Sequence, residues 1–281
     1  MTSPQDHSAA TGTSLAERLG FRPDDRVVIV NCDDLGSSQA ANDAIRRSMR
    51  EGSATSATLM VPCPWAADAA ADPPGTDVGV HLTLNSEWDG YRWGPVTPGP
   101  SLLDAEGRLP RTIDEVWERA DLDEVRAELR AQIAQATAWG LDITHLDSHM
   151  GTLQLEPRYF DIYLELAVEH RLPLRLSGWS SERAIGFEFR DRAAAVGVVS
   201  PDHLVGTDVL AKAEGLRTGV TELYLHPATD SPELRALAPD NARRIEDAAI
   251  LAPGGALAGR LDRAGAHLIS YRALRDLQRA G

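Results

Sequence analysis

Lysine is almost absent from this chain of 281 residues: Lys212 is the only one among 28 basic residues. A Schiff-base or catalytic lysine therefore has a single candidate, and nothing around it in sequence looks like a site. Cysteine is nearly as scarce. Cys32 and Cys63 stand alone, so no disulfide framework and no C-x-x-C pair for zinc or redox work exists. Both lie in apolar segments and read as free buried thiols, which suits a reducing cytoplasm. No apolar run approaches the ~18 residues of a membrane-spanning helix. Residues 1–12 are polar, contain Asp6, and lack the basic start and apolar centre of a signal peptide. Residues 1–22 are expected to be a disordered lead-in, with one domain over 23–281. Basic charge is also in deficit. The 42 acidic residues leave a formal net charge of −14, which repels phosphate backbones and argues against nucleic acid or an anionic membrane as partner. No P-loop, no G-x-S-x-G and no dinucleotide G-x-G-x-x-G is found.

What is present is an alternation. Residues 26–32 (R-V-V-I-V-N-C) form a short β-branched run that reads as a fully buried strand. Gly36-Ser37-Ser38 supplies a turn and an N-cap, and residues 40–50 read as a helix stopped by Gly52. Further strands are expected at 56–62, 77–84 (with Gly79 weakening that reading), 142–146, 174–176, 222–225 and 266–269. Helices are expected where Leu122, Val125, Leu129, Ile133 and Ala136 recur at helical spacing, at 157–170 behind Pro157, and at 241–251 and 256–264. Residues 177–216 read only as a mixture of helix and loop. Residues 85–110 form a long loop holding Trp88, Tyr91 and Trp93, and loops of that length are often functional. No internal repeat or interdomain linker is visible. The pattern predicts an α/β fold, as a single irregular (β/α) barrel of about seven parallel strands, TIM-barrel-like. A doubly wound open sheet is the alternative.

The chemistry gathers at strand ends. Four predicted strands finish in acid or histidine: Asp33-Asp34, His81, Asp147-Ser148-His149 and His226. Parallel α/β folds open all strand C-termini on one face, so these residues can share a cleft. Each alone has an ordinary structural reading. Asp33-Asp34 before G-S-S can cap a helix, a strand histidine such as His81, His149 or His226 is commonly a satisfied core residue, and Asp147 can be a turn residue. His145, two positions before Asp147, reads as packed, and His7, His170, His203 and His267 follow no strand-end acid. Jointly, two imidazoles and a carboxylate with an open position suit Zn²⁺ or another divalent ion, while a second acid is free to take a proton from water. The aromatics Trp88, Tyr91 and Trp93 read either as a platform for a sugar ring or as loop packing.

The segments V-I-V-N-C-D-D-L-G-S-S at 28–38 with Asn42 following, G-V-H-L-T-L at 79–84, T-H-L-D-S-H at 144–149 and E-L-Y-L-H-P at 222–227 together resemble the YdjC-like carbohydrate deacetylases, relatives of the NodB-type polysaccharide deacetylases. The order and spacing match over residues 26 to about 275. The resemblance implies a metal-dependent N-deacetylase acting on an acetylated amino sugar or short chito-oligosaccharide. It implies Asp34, His81 and His149 as ligands of one divalent ion, zinc or magnesium. It further implies Asp33 as general base and His226 as general acid; Asp147, by its place on the same strand, reads as a residue behind the ligands. Where family members often continue D-S-H-x-H, this chain has His149, Met150, Gly151 and Thr152. The ligand position is kept and the extra imidazoles are absent, which bears on substrate more than on metal. Leu35 stands where Phe is more usual. Two other functions suit the same residues: a metal-dependent hydrolase of another small amide or ester, and a non-catalytic sugar-binding module. The expected partner is a small acetylated sugar. Oligomeric state is open, with a homodimer among the options.

Overall fold

The computed structural model describes residues 13–206 and 208–281. Seven strands form one sheet: β1 (Arg26–Leu35), β2 (Ser56–Leu59), β3 (Val78–Leu82), β4 (Leu146–Ser148), β5 (His203–Val205), β6 (Gly219–Leu225) and β7 (Ala266–Leu268). All ladders are parallel, in the order β4-β3-β2-β1-β6-β5. β1 pairs with β6 along Arg26–Cys32. Its other edge is divided: β7 pairs with Arg26, Val27 and Val28, and β2 begins at Asn31. Helices connect the strands, the longest being Leu122–Ala138 and Pro157–His170. Among the described residues no helix is long and apolar enough to cross a membrane.

The parallel α/β architecture agrees with expectation, and the sheet curls as a half-barrel that no ladder completes. Between β4 and β5 the described residues offer only a bridge from Leu146 to Leu174 and one hydrogen bond from the Leu174 N–H to the Val199 carbonyl, 3.0 Å. The strand expected at 174–176 is reduced to that bridge, and the one at 142–146 begins instead at Leu146.

β1 explains how the two faces divide. Val28, Val30 and Cys32 join the large core under the surrounding helices, with both thiols buried and free. Val27 and Ile29 point the other way, into a small cluster with Ala16, Val199, Val220, Tyr271 and Leu274. Asn31 and Asp33 continue this inner face, linked by a 2.9 Å hydrogen bond. The inner face therefore changes from apolar to polar along one strand. The disorder expected up to residue 22 does not extend over residues 14–22. Ser14 and Glu17 form a capping box for the helix Leu15–Arg18, which buries Ala16 in the small cluster. The remainder of that expectation, with His7, lies outside the described residues.

Candidate active site

The cleft lies at the C-terminal ends of the strands and has a volume of about 480 Å³. Asp33, Asp34, His81, His149 and His226 all line it. Adjacent residues of a regular strand point to opposite faces, so Asp33 and Asp34 need a device to share one cleft. The β1–β2 register shifts between Cys32 and Leu35, and Asp34 adopts φ 66°. A left-handed conformation is costly for a residue with a side chain and concentrates at functional sites. β1 therefore runs on through both acids, where a strand ending at Cys32 was expected.

Three donor atoms converge. The Asp34 Oδ1 lies 3.4 Å from His81 Nε2 and 3.6 Å from His149 Nδ1, and those nitrogens are 3.2 Å apart. All three residues are buried, and Asp34 Oδ1 has no hydrogen-bond partner. An unpartnered carboxylate oxygen facing two imidazole nitrogens is a costly arrangement unless positive charge, a bound cation or a proton on an imidazole, offsets it. One oxygen and two nitrogens are a donor set suited to a divalent ion.

Each donor is fixed from behind. Asp147 Oδ1 lies 2.5 Å from His81 Nδ1, which leaves Nε2 to face Asp34. Asp147 Oδ2 accepts from Thr58 at 2.9 Å. Glu87 Oε2 lies 3.0 Å from His149 Nε2, the same carboxylate–imidazole pairing on the second histidine. Arg244 Nη1 donates to Asp34 Oδ2 at 2.7 Å, leaving Oδ1 alone for the cluster. Asp33 is gripped at both oxygens by Arg175, at 2.6 and 2.7 Å. His226 Nε2 stands 3.7 Å from Asp33 Oδ2. The His226 backbone N–H donates to Asp247 at 2.9 Å, and its ring is one-quarter exposed to the cleft.

Charge state follows from these contacts. Burial works against the protonated form of His81, but Asp147 and then Asp34 outweigh it and hold the imidazole up at about 10. Burial likewise opposes protonation of His149, and Glu87 and Asp34 reverse it to about 9. Burial pushes Asp34 up, yet Arg244 and the two histidines bring it well below the usual carboxylate range. The site is thus built to hold positive charge among its donors.

Of the three loop aromatics, Trp88 lines the cleft and Tyr91 and Trp93 do not. Trp93 is buried, donates its indole N–H to the Asn85 carbonyl, and does not line the cleft. Tyr91 packs edge-on to Trp93 and does not line it either. Trp88 reaches the cleft, but the Arg244 guanidinium lies 5.3 Å from its ring centroid, and only 4% of the residue is exposed. Loop packing therefore accounts for Tyr91 and Trp93. Sequence reasoning missed Glu87, Arg175 and Arg244. Only Arg175 carried a signal: a guanidinium between Leu174 and Leu176 in an otherwise apolar run.

A half-barrel of parallel strands whose C-terminal ends present an Asp-His-His donor cluster beside a second aspartate and a histidine defines the class: an α/β protein with a candidate metal-binding site. More particularly, residues 27–255 match the YdjC-like protein family, and the chain belongs to it. A carbohydrate deacetylase of Geobacillus stearothermophilus is 31% identical over 88% of this chain and 97% of its own. One from Thermus thermophilus is 42% identical over a stretch covering 56% of each chain. The solved structure of an Enterococcus faecalis protein described as a cellobiose-phosphate cleavage protein superposes with a TM-score of 0.77 at 25% identity. That match covers 89% of this chain and 99% of the other.

Proposed function

We propose that this protein is a metal-dependent hydrolase that removes N-acetyl groups from an amino sugar or a short chito-oligosaccharide. The observation that carries the reading is the convergence of Asp34 Oδ1, His81 Nε2 and His149 Nδ1 within 3.6 Å, with Asp33 and His226 on the same cleft. The relatives named carbohydrate deacetylase support the substrate class.

Asp34, His81 and His149 would hold the ion. A bound divalent ion supplies Lewis acidity toward the acetamide oxygen and makes a bound water more acidic. Asp33 takes the proton of the attacking water. Asp33 Oδ1 accepts from both Arg175 and Asn31, whereas Oδ2 accepts from Arg175 Nη1 and keeps a second lone pair to offer. His226 delivers a proton to the departing nitrogen, without which an amine leaves poorly. Its backbone anchor at Asp247 and the edge-on Tyr224 ring, 5.7 Å away between centroids, set its direction. Asp147 and Glu87 act through the histidines, and Arg244 acts through Asp34. Trp88 is the one aromatic of the loop placed to meet substrate.

The test is acetate release from N-acetylglucosamine and N,N′-diacetylchitobiose with Zn²⁺, Mg²⁺ or Co²⁺, against a chelator control. Release that needs metal supports the reading. Stoichiometric metal binding with no acetate from either sugar, but hydrolysis of other acylated amines, would replace the substrate. No metal binding would overturn the site itself.

A further inference from the structure

Behind the cleft a buried polar chain runs to the last helix of the protein, and the mechanism above leaves its far end unused. A guanidinium has five N–H donors, and Arg175 directs four of them at buried carboxylates. Nε and Nη2 donate to Glu222 Oε1 at 2.8 and 2.6 Å. Nη2 also donates to Asp33 Oδ1 at 2.7 Å, and Nη1 to Asp33 Oδ2 at 2.6 Å. Asp147 Oδ2 stands 2.8 Å from Nη1 as an ion pair. Three buried carboxylates thus surround one buried cation.

Glu222 is held in turn. Its Oε2 accepts the Tyr271 hydroxyl at 2.5 Å. Tyr271 opens the helix Tyr271–Ala280 and is wedged among Ala16, Val27, Ile29 and Leu274. Its ring stacks on His145, with centroids 3.6 Å apart and planes within 5°. The Tyr224 ring covers the guanidinium on another side, 4.8 Å from its centroid. Two of the five Arg175 donors point at Glu222 alone. Remove that carboxylate and the two hydrogens lose their acceptor, so the plane of the guanidinium is free to turn. The two-pronged grip on Asp33 depends on that plane.

We propose that Glu222, fixed by Tyr271, is a positioning residue for the reaction: it aims Arg175, and Arg175 aims the proton-accepting oxygen of Asp33. This rests on the deacetylase reading above. A displacement of ~1 Å of a reacting group costs on the order of 10²-fold in rate. Glu222→Ala should therefore lower kcat on N,N′-diacetylchitobiose about 100-fold, with KM within about twofold and metal stoichiometry unchanged. Glu222→Gln keeps an oxygen for Nε–H and should recover most of the loss. Tyr271→Phe deletes one hydroxyl, preserves the ring stack, and should lower kcat without raising KM. It keeps the proposal exposed to failure where Glu222→Ala does not fold.

Three results would overturn it: kcat within twofold of the parent in folded Glu222→Ala or Tyr271→Phe, a loss expressed in KM alone, or a loss that tracks metal content. The Arg175 Nε–H resonance in ¹⁵N NMR reads the contact without turnover. It should exchange rapidly in Glu222→Ala and slowly in the parent. If the parent releases no acetate at all, the functional reading fails, while the resonance still decides the contact: equal exchange in both proteins overturns it.

Discussion

At the scale of single residues, the two adjacent acids divide their surroundings. Asp34 Oδ1 faces only the histidines, while both Asp33 oxygens face Arg175. Asp34→Ala and His149→Ala are thus expected to lose the metal, whereas Asp33→Asn keeps it and loses turnover by about 10²–10⁴-fold, the usual contribution of a general base. Metal content and initial rates on the same preparations separate these outcomes, and normal turnover in metal-loaded Asp33→Asn would sink the base assignment. A pH effect follows from the histidines. His81 and His149 are held at about 10 and about 9 by neighbouring carboxylates, so at pH 7 an ion must displace protons. The 3.2 Å gap between their facing nitrogens has room for one hydrogen. At least one proton should therefore leave per ion bound at pH 7, and affinity should tighten from pH 6 to pH 9. Calorimetry in two buffers of different ionisation enthalpy counts the protons, and an enthalpy independent of buffer would contradict the assignment. Most of the donor residues were legible because ligand-type side chains at four strand ends are informative together. Their partners were not. Arg244 shares a helix face with Asp240, four residues earlier, and looks like an ordinary surface pair. Glu87 lies in a loop with no periodicity to place it.

At the scale of elements, Gly79 shows why local propensity misleads. A glycine weakens a strand reading, yet β3 needs one there. A Cβ on Gly79 would stand 2.5 Å from the His145 ring, the same ring that stacks on Tyr271. Gly79→Ala should cost about 1–3 kcal/mol, the range for overpacking a close-fitted site. Urea denaturation gives the answer, and an unchanged midpoint would mean that the ring yields freely. Elements with strong periodicity were readable: Pro157–His170 and Asn241–Leu251 occur as expected, and β1 differs only by its extension. Those that rest on tertiary contact were not. β5 has three half-buried residues, too few to leave a period, and the helices Trp179–Ile185, Phe189–Ala195 and Val209–Ala213 are each under eight residues. The helix Tyr271–Ala280 was overlooked altogether, although it carries the tyrosine that reaches Glu222.

At the scale of the whole molecule, the polar interior links stability to pH and to metal. His145 is fully buried, and burial lowers it to about 3. Its unfolded value is ~6.5, so over that interval the unfolded chain binds the extra proton. The His145 contribution is complete above about pH 6.5 and is lost progressively as pH falls toward 3. Between pH 6.5 and 4.5, before most carboxylates titrate, the parent should lose stability more steeply than His145→Leu in urea titrations. Parallel slopes would remove His145 from the account. A metal that binds only the folded state adds about 4 kcal/mol at a thousandfold excess over its Kd. Chelation should then lower Tm, and a Tm indifferent to chelator would count against the Asp-His-His cluster as a resident site.

The pairing of β1 carries a consequence for how the chain is made. The strand that bears both acids bonds along Arg26–Cys32 to residues beginning at Gly219 and, on its other edge, along Arg26–Val28 to residues beginning at Ala266. A ribosome adding roughly 5–20 residues per second therefore releases β1 on the order of ten seconds or more before β6 and β7 exist. Through that interval β2 is already made, but the edge that β6 covers has no neighbour. Anything that slows translation of the last third of the message should divert more of the nascent protein into aggregates, without altering a single contact in the finished fold.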